Sequence, residues 1–130
     1  MTTVPAPVVD FISVPGGQQR IVFRTDNRVL FVRPADIRWI GAEGVYARVY
    51  AMTWNLLVRE SMKSLEERLR SLEFFRVHRS AIVNVVHVRE ISRTGRHCVA
   101  LLADGTQIPI SDDYRRPFEN FMLKDSIACG

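Results

Sequence analysis

An imidazole, a guanidinium and a hydroxyl follow one another at His78, Arg79 and Ser80, in the middle of the segment FFRVHRSAIVN. A base beside a hydroxyl can activate a nucleophile, whereas a guanidinium beside a hydroxyl is suited to holding phosphate. The residues on either side alternate as β-strands do, so the triplet also fits a polar strand end without any chemistry. A catalytic site, a phosphate clamp and a polar turn are therefore all open at this point.

The sequence carries no local signature of catalysis or of a resident metal. It contains no G-x-S-x-G, no H-E-x-x-H and no glycine-rich phosphate loop before a helix. His97 and Cys98 are neighbours on an expected strand and point to opposite faces, so they do not readily share one ion. We expect no enzyme, no metal and no cofactor. The acidic pair Asp112 and Asp113 is the one feature that a metal-dependent nuclease would use.

Arginine dominates the basic residues, as it does in many nucleic-acid-binding proteins. Sixteen of the 18 basic residues are arginine, in a chain of formal net charge +4. The planar guanidinium binds phosphates and guanine edges in a bidentate manner, although a GC-rich genome also favours arginine. Five arginines lie near the ends of expected strands or helices: Arg48, Arg76, Arg79, Arg115 and Arg116. They form one basic surface if the fold gathers those ends.

Length and composition predict a single domain with one arm. The 130 residues are enough for one core. Residues 1–19 contain three prolines and two glycines and predict a flexible arm or linker, so we expect the domain at residues 20–123 and a tail at 124–130. No stretch reaches the roughly 18 apolar residues of a membrane span, and the first residues do not resemble a signal peptide. We therefore expect a cytoplasmic protein with no membrane segment in this chain.

Short alternating runs predict a strand-rich fold. RIVFRT and RVLFVR flank residues 26–27, IRWIGA and VYARVYA flank residues 43–44, and HCVALL and TQIPIS flank residues 103–105. Asp104-Gly105 is the strongest hairpin signal of the chain. It predicts a two-residue type I′ turn with a positive φ at both positions.

Two segments break this alternation and predict helices. Residues 61–72 begin at a suitable N-cap, Ser61, and carry apolar residues at helical spacing: Met62, Leu65, Leu69 and Leu72. We expect this amphipathic helix to cover a sheet with its apolar stripe, not to bind a partner. The last segment, SDDYRRPFENFML, predicts a short helix with Pro117 in its first turn or at a break.

Four segments, in this order, carry a resemblance to a known family. They are IRWIGAEGVY, LVRESMKSLEERL, FFRVHRSAIVN and DGTQIPISDDY. Together they resemble the LytTR family of bacterial DNA-binding domains, from about residue 20 to residue 123, and the F-x-R-V-H-R-S-x-I-V-N block is highly specific to that family. The resemblance implies a mainly β fold: about ten short strands in stacked small sheets with one central amphipathic helix and a short C-terminal helix.

The resemblance also implies a function. Members of that family enter successive major grooves of DNA through loops, serve as output domains of transcription regulators, and are often bound as two copies to direct repeats. For this chain it implies double-stranded DNA as the partner and a receiver domain, sensor domain or partner protein that supplies the signal. It also implies an isolated domain that is monomeric off DNA. A protein-interaction module on the same scaffold, without base readout, is the alternative.

Three loops carry the DNA contacts in such proteins, and they match residues 45–48, 78–80 and 111–114 here. With the basic residues nearby, the expected DNA-contacting residues are Tyr46, Arg48, Arg76, His78, Arg79, Ser80, Ser111, Asp112, Arg115 and Arg116.

Individual roles follow from side-chain chemistry within this resemblance. Arg79 is expected to reach a phosphate or a base edge, and Ser80 a phosphate. His78 either packs and hydrogen-bonds beneath the loop, the role we favour, or contacts DNA. Asn84 is expected to cap the following turn. Asp112 stands where family members often have Arg or Lys, and its carboxylate repels phosphates unless it accepts from a cytosine amino group or faces away.

Overall fold

Eleven strands, two α-helices and three short 3-10 turns are the regular elements of the described part of the chain. The structure is a computed structural model that describes residues 8–14, 18–24 and 27–124, with side chains from residue 19 onward. The strands are β1 (Val8–Val14), β2 (Gln18–Arg24), β3 (Val29–Val32), β4 (Ile37–Glu43), β5 (Tyr46–Ala51), β6 (Asn55–Val58), β7 (Phe74–His78), β8 (Ala81–Asn84), β9 (Val88–Thr94), β10 (His97–Leu102) and β11 (Gln107–Pro109). The helices are α1 (Met62–Leu69) and α2 (Asp112–Leu123).

The strands form three small antiparallel sheets, which confirms the predicted mainly β fold. Their strand orders are β1-β2-β3, β6-β5-β4-β8-β7 and β11-β10-β9. Most neighbours are consecutive strands of a hairpin. The pairing of β4 with β8, in which Ile40 lies opposite Ile82, is different because it joins strands far apart in sequence. It brings the β4–β5 hairpin beside the β7–β8 hairpin.

The five-stranded sheet is the middle layer of the molecule, because both of its faces are buried. All four residues of β8 are buried, and successive side chains on a strand point to opposite faces. Ile82 packs in a cluster with residues of β2, β3 and α1. Ala81 and Val83 pack in a second cluster with residues of β10, β11 and α2. The apolar run AIV therefore marks an inner strand covered on both sides.

Helix α1 begins where the sequence predicts. The Ser61 hydroxyl accepts a hydrogen bond from the backbone N–H of Ser64 at 3.0 Å, which satisfies one of the free amides of the first turn. The predicted apolar stripe is confirmed as core, since three of its residues are buried in the first cluster: Met62, Leu65 and Leu69. The α-helix is shorter than predicted, because Arg70–Leu72 tighten into a 3-10 turn and Glu73 follows at φ +67°.

Helix α2 continues through Pro117, so the expectation that this proline stands in the first turn or at a break is wrong. Pro117 is the sixth of twelve helical residues. Proline there removes one hydrogen bond of the helix and crowds the preceding turn. Packing compensates, because Phe118 is fully buried and its ring lies 5.3 Å from that of Phe75, between centroids.

Part of the segment that the sequence predicts as a flexible arm, residues 1–19, forms a strand. Val8–Val14 form β1, which pairs with β2 along its whole length. The pairing satisfies backbone groups that an isolated arm would leave to water. Residues 1–7 and 15–17 of the arm, and residues 125–130 of the predicted tail, lie outside the described residues. The domain limits at residues 20 and 123 stay predictions.

The hairpin around Asp104 forms, but the predicted type I′ turn is wrong. Gly105 has φ +96°, whereas Glu73 is the only non-glycine residue with a positive φ in the part of the chain that the structure describes. Gly105 donates its N–H to the Leu102 carbonyl at 2.9 Å, so the loop has three residues with a left-handed glycine at its end. Asp104 instead accepts from the backbone N–H of Thr106 at 3.0 Å, which lowers the pKa of its carboxyl.

Asn84 is the buried polar side chain of the described core, and it ties β8 to the start of β4. Its amide nitrogen donates to the carbonyls of Pro34 and Ile37 at 3.0 and 2.9 Å. Its Oδ1 accepts from the backbone N–H of Val86 at 3.3 Å. The capping role expected for Asn84 is confirmed.

Replacing Asn84 by alanine is expected to lower the free energy of unfolding by about 1 to 3 kcal/mol, because two carbonyls lose a buried donor. Denaturant unfolding of the variant and the wild-type chain measures the difference. Asn120→Ala, at an exposed position of α2, is the matched control and should shift the free energy by less than about 0.5 kcal/mol. A loss at Asn84 no larger than that of the control would contradict the assigned role.

Candidate nucleic-acid interface

Three turns lie side by side at one end of the molecule. The β7–β8 turn meets the β4–β5 turn through a hydrogen bond from the N–H of Ala42 to the Ser80 carbonyl, at 2.9 Å. The N–H of Ser111 donates to the Val77 carbonyl at 2.9 Å, which places the start of α2 beside the end of β7. The fold thus gathers the three loops expected to contact DNA. We call residues 42–48, 78–80 and 111–116 together the loop face.

The imidazole of His78 holds the middle turn of the loop face from inside. Its Nδ1 accepts the backbone N–H of Ser80 at 3.1 Å and lies 2.8 Å from the Ser80 hydroxyl. Because Nδ1 accepts from an amide, the neutral ring carries its proton on Nε2. The hydrogen-bonding role favoured for His78 is therefore present. No carboxylate among the described residues contacts Nε2, so this pair lacks the third member of a catalytic triad.

Arg76, one of the residues expected to contact DNA, is directed into the protein, where its guanidinium holds the turn. Its guanidinium donates to the carbonyls of His78 and Arg79 at 3.2 and 2.6 Å. It also pairs with Glu66 of α1 at 3.2 Å, and 15% of its side chain is exposed. The Tyr114 ring of α2 lies 5.9 Å from the guanidinium carbon, within cation–π distance. Arg76 thus joins both helices to the turn.

Arg48 is also engaged within the protein. Its Nε and Nη2 donate to the two carboxylate oxygens of Glu43 at 2.9 and 2.8 Å, and its Nη1 donates to Oδ1 of Asn55 at 2.7 Å. The hydrogen bonds between Arg48 and Glu43 lower the pKa of the carboxyl and raise the pKa of the guanidinium. Both groups stay charged, and the carboxylate neutralises much of the field of Arg48.

The tip of the β4–β5 turn presents apolar surface. Gly44 has φ +64°, at a position where two-residue hairpins favour glycine. Val45 beside it is 72% exposed. The half-buried Tyr46 lines a groove with Arg59 and Ser61, where α1 begins. A branched aliphatic group is thus the outermost feature of this loop.

The third loop is the first turn of α2. Ser111 is the N-cap, but its hydroxyl makes no capping hydrogen bond. Asp112 and Asp113 are exposed in the first turn, where negative charge interacts favourably with the helix dipole. The interaction with the helix dipole therefore accounts for the two carboxylates at this position. One turn later, Arg115 pairs with Glu119 at 3.6 Å.

Arg79 and Arg116 are the two expected site arginines that remain free. Both are exposed, and neither side chain makes a hydrogen bond or an ion pair with the residues that the structure describes. The other three are each paired with a carboxylate, from Glu43, Glu66 or Glu119. Sequence reasoning missed these acidic partners. Only Glu119 carried a local signal, since it follows its arginine at the four-residue spacing of a helix.

Possible metal ligands are dispersed among the described residues. Over the ranges the structure covers, no three His, Cys, Asp or Glu side chains are grouped so that they could bind a metal ion. Burial raises the pKa of the Cys98 thiol, the opposite of what a nucleophilic cysteine needs. None of the described helices is long and apolar enough to cross a membrane.

The loop face presents hydroxyls and arginines at the ends of strands. These groups suit the recognition of a polyanion.

A family model described as the LytTr DNA-binding domain matches residues 27–122, which include all three loops. The chain belongs to this family. The resemblance seen in the sequence is thereby confirmed. The LytTr family is one of DNA-binding domains, not of catalytic ones.

Several relatives of this LytTr domain are bacterial regulators. The sensory transduction protein LytT of Bacillus subtilis is 26% identical over 82% of this chain and 44% of its own length. The CO-responsive transcriptional regulator RcoM of Rhodospirillum rubrum is 31% identical over 74% of this chain and 42% of its own length. The chain therefore spans less than half the length of these curated relatives.

A solved structure shows the same fold. It is the LytTr DNA-binding domain of a methyl-accepting/DNA response regulator from Bacillus cereus, which superposes with a TM-score of 0.69 at 24% sequence identity. The match covers 81% of this chain and 96% of that domain. The arrangement of three small antiparallel sheets with two helices is therefore that of the LytTr fold.

Proposed function

We propose that this LytTr domain binds double-stranded DNA sequence-specifically, with the turns of the loop face entering the major groove. The observation that carries the proposal is the joining of three turns by backbone hydrogen bonds, with Arg79 exposed on the middle one. A guanidinium at that position can bind a phosphate or the edge of a guanine. The other two turns, joined to this one by backbone hydrogen bonds, supply further donors beside it.

Different side chains of the loop face are suited to different parts of the DNA. Arg79 is the candidate for a base edge, while the hydroxyls of Ser80 and Ser111 and the guanidinium of Arg116 are suited to phosphates. Val45 presents methyl groups that fit against the methyl group of a thymine. Arg76 and His78 act within this proposal by holding the turn, because their polar atoms are bonded inside it.

The wider role is that of a regulator's output domain. We infer that the domain works on chromosomal DNA in the bacterial cytoplasm, on direct repeats, and that it is monomeric off DNA. A receiver domain, a sensor domain or a partner protein would supply the signal. The names of LytT and RcoM, a sensory transduction protein and a transcriptional regulator, support this context.

Selection of bound duplexes from a random pool at near-physiological salt, followed by a salt titration on the enriched sequence, tests the proposal. We expect a repeated motif to be enriched and log affinity to fall linearly with log salt, because phosphate contacts release counterions. Steep salt dependence without enrichment would mean phosphate binding without base readout. No binding even at low salt would refute DNA binding and favour the protein-interaction module.

The Glu43→Gln variant is expected to bind the selected DNA several-fold more tightly, because it removes the carboxylate that neutralises Arg48. The slope of log affinity against log salt should steepen by up to about 1. The pKa of Glu43 is lowered by its hydrogen bonds with Arg48, so the wild-type carboxylate is ionised at neutral pH. Wild-type affinity should approach that of the variant only as the pH falls through this lowered pKa.

Glu90→Gln is the charge-matched control for that experiment. Glu90 is exposed near the start of β9, at the end of the molecule away from the loop face. Its replacement should leave the salt slope unchanged. Equal affinities of Glu43→Gln and the wild-type chain would show that Arg48 does not approach DNA.

A further inference from the structure

A fourth turn lies beside the loop face and was not among the expected DNA contacts. Strands β9 and β10 end in a hairpin in which Thr94 lies opposite His97, and Gly95 in the turn has φ +60°. Arg93 and Arg96 lie on either side of that glycine. Both are exposed, and the described residues provide neither side chain with a hydrogen bond or an ion pair.

Backbone pairing places this hairpin next to the third loop. Cys98 lies opposite Arg93 in the β9–β10 ladder, and its carbonyl accepts the N–H of Ile110 at 2.8 Å. Ile110 is followed directly by Ser111, the N-cap of α2. The end of the β9–β10 hairpin therefore lies at the same end of the molecule as the three turns of the loop face.

The surface between the hairpin and α2 has an excess of positive charge. A cavity there is lined by Arg93, Arg96, Arg115 and Asp112, together with His97. The lining thus contains three guanidinium groups and one carboxylate. Arg115 forms an ion pair with Glu119. Arg93 and Arg96 have no carboxylate within 4.0 Å among the residues that the structure describes. Two uncompensated arginines on a turn suit a ligand with regularly spaced negative charges.

We propose that the β9–β10 turn binds the phosphate backbone of duplex DNA through Arg93 and Arg96, beside the stretch that the loop face contacts. This inference rests on the proposed function. Strand β9 lies two strand spacings from β11, about 10 Å, and one DNA strand carries about three phosphates over that length. The turn therefore extends the contact to flanking phosphates and contributes affinity without base specificity.

The test is the salt dependence of DNA binding by the full chain carrying Arg93→Ala and Arg96→Ala together. The wild-type chain and the double variant are titrated with the same selected duplex. The slope of log affinity against log salt should become shallower by about 1 to 2, at about 0.9 per phosphate contact. Affinity at low salt should fall by about tenfold or more, with the preference among duplex sequences unchanged. An unchanged slope and affinity would overturn the inference.

Two further variants make the outcome specific. Arg89→Ala is the control, because Arg89 is an exposed arginine near the other end of the same strand. The slope of log affinity against log salt for this variant should match that of the wild-type chain. The double replacement of Arg93 and Arg96 by lysine should retain most of the slope, since a phosphate contact needs charge more than fork geometry. Lysine variants as weak as the alanine variants would contradict a phosphate contact. A wild-type chain that binds no DNA would instead refute the proposed function itself.

Discussion

Replacing Arg79 by alanine is expected to weaken binding to the selected DNA by about 1 to 3 kcal/mol and to relax specificity at one base position. Arg79 is exposed on the middle turn of the loop face, and its carbonyl, not its guanidinium, is held by Arg76. A bidentate contact to guanine accounts for both effects, because alanine leaves the base without its donors. If Arg79 binds a phosphate instead, affinity should fall evenly over all sequences.

Binding of the Arg79 variant to the selected duplex and to its single-base substitutions separates these two outcomes. Arg79→Lys sharpens the distinction, since lysine keeps the charge but not the two parallel donors. Arg70→Ala is the matched control: Arg70 is exposed in the 3-10 turn that precedes β7, at the other end of that strand. If Arg79→Ala and Arg70→Ala bind alike, Arg79 does not contact DNA.

Replacing Arg76 by alanine is expected to lower both stability and DNA affinity, although Arg76 itself is directed into the protein. The carbonyls of His78 and Arg79 would lose their donor, and Glu66 its cation. We expect a loss of about 1 to 3 kcal/mol in the free energy of unfolding, discounted for the partial exposure of both partners. Because the turn would no longer be held, Arg79 would be poorly positioned and affinity should fall by about tenfold or more.

Arg38→Ala provides a closely matched control for Arg76. Arg38 is also mostly buried, donates to the Ala51 carbonyl at 3.1 Å and pairs with Asp104, but it lies at the opposite end of the middle sheet. Both variants should lose stability in denaturant unfolding. Only Arg76→Ala should lose DNA affinity under conditions in which both chains remain folded. Faster amide hydrogen exchange at Ser80 in that variant would locate the change in the turn. Equal DNA affinities for the two variants would refute a positioning role.

Local sequence features predicted most of the scaffold. Alternating runs marked the hairpins on both sides of residues 43–44, and Ser61 marked the start of α1, because these features depend on neighbours within a few residues. Predictions failed where packing overrides local preference. Phe118 keeps α2 helical through Pro117, and pairing with β2 makes a strand of a segment next to prolines.

The sequence by itself determined the family, the mainly β scaffold and the three loops, because the F-x-R-V-H-R-S-x-I-V-N block and the alternating runs are continuous along the chain. Only the tertiary structure decided which arginines stay free. Arg76 is paired with Glu66, which lies ten residues away on another element. Arg93 lies opposite Cys98, and the hydrogen bond between Cys98 and Ile110 places their hairpin beside the loop face. The charge a side chain presents depends on the carboxylates within a few ångströms of it, and those distances are set by strand pairing and helix packing.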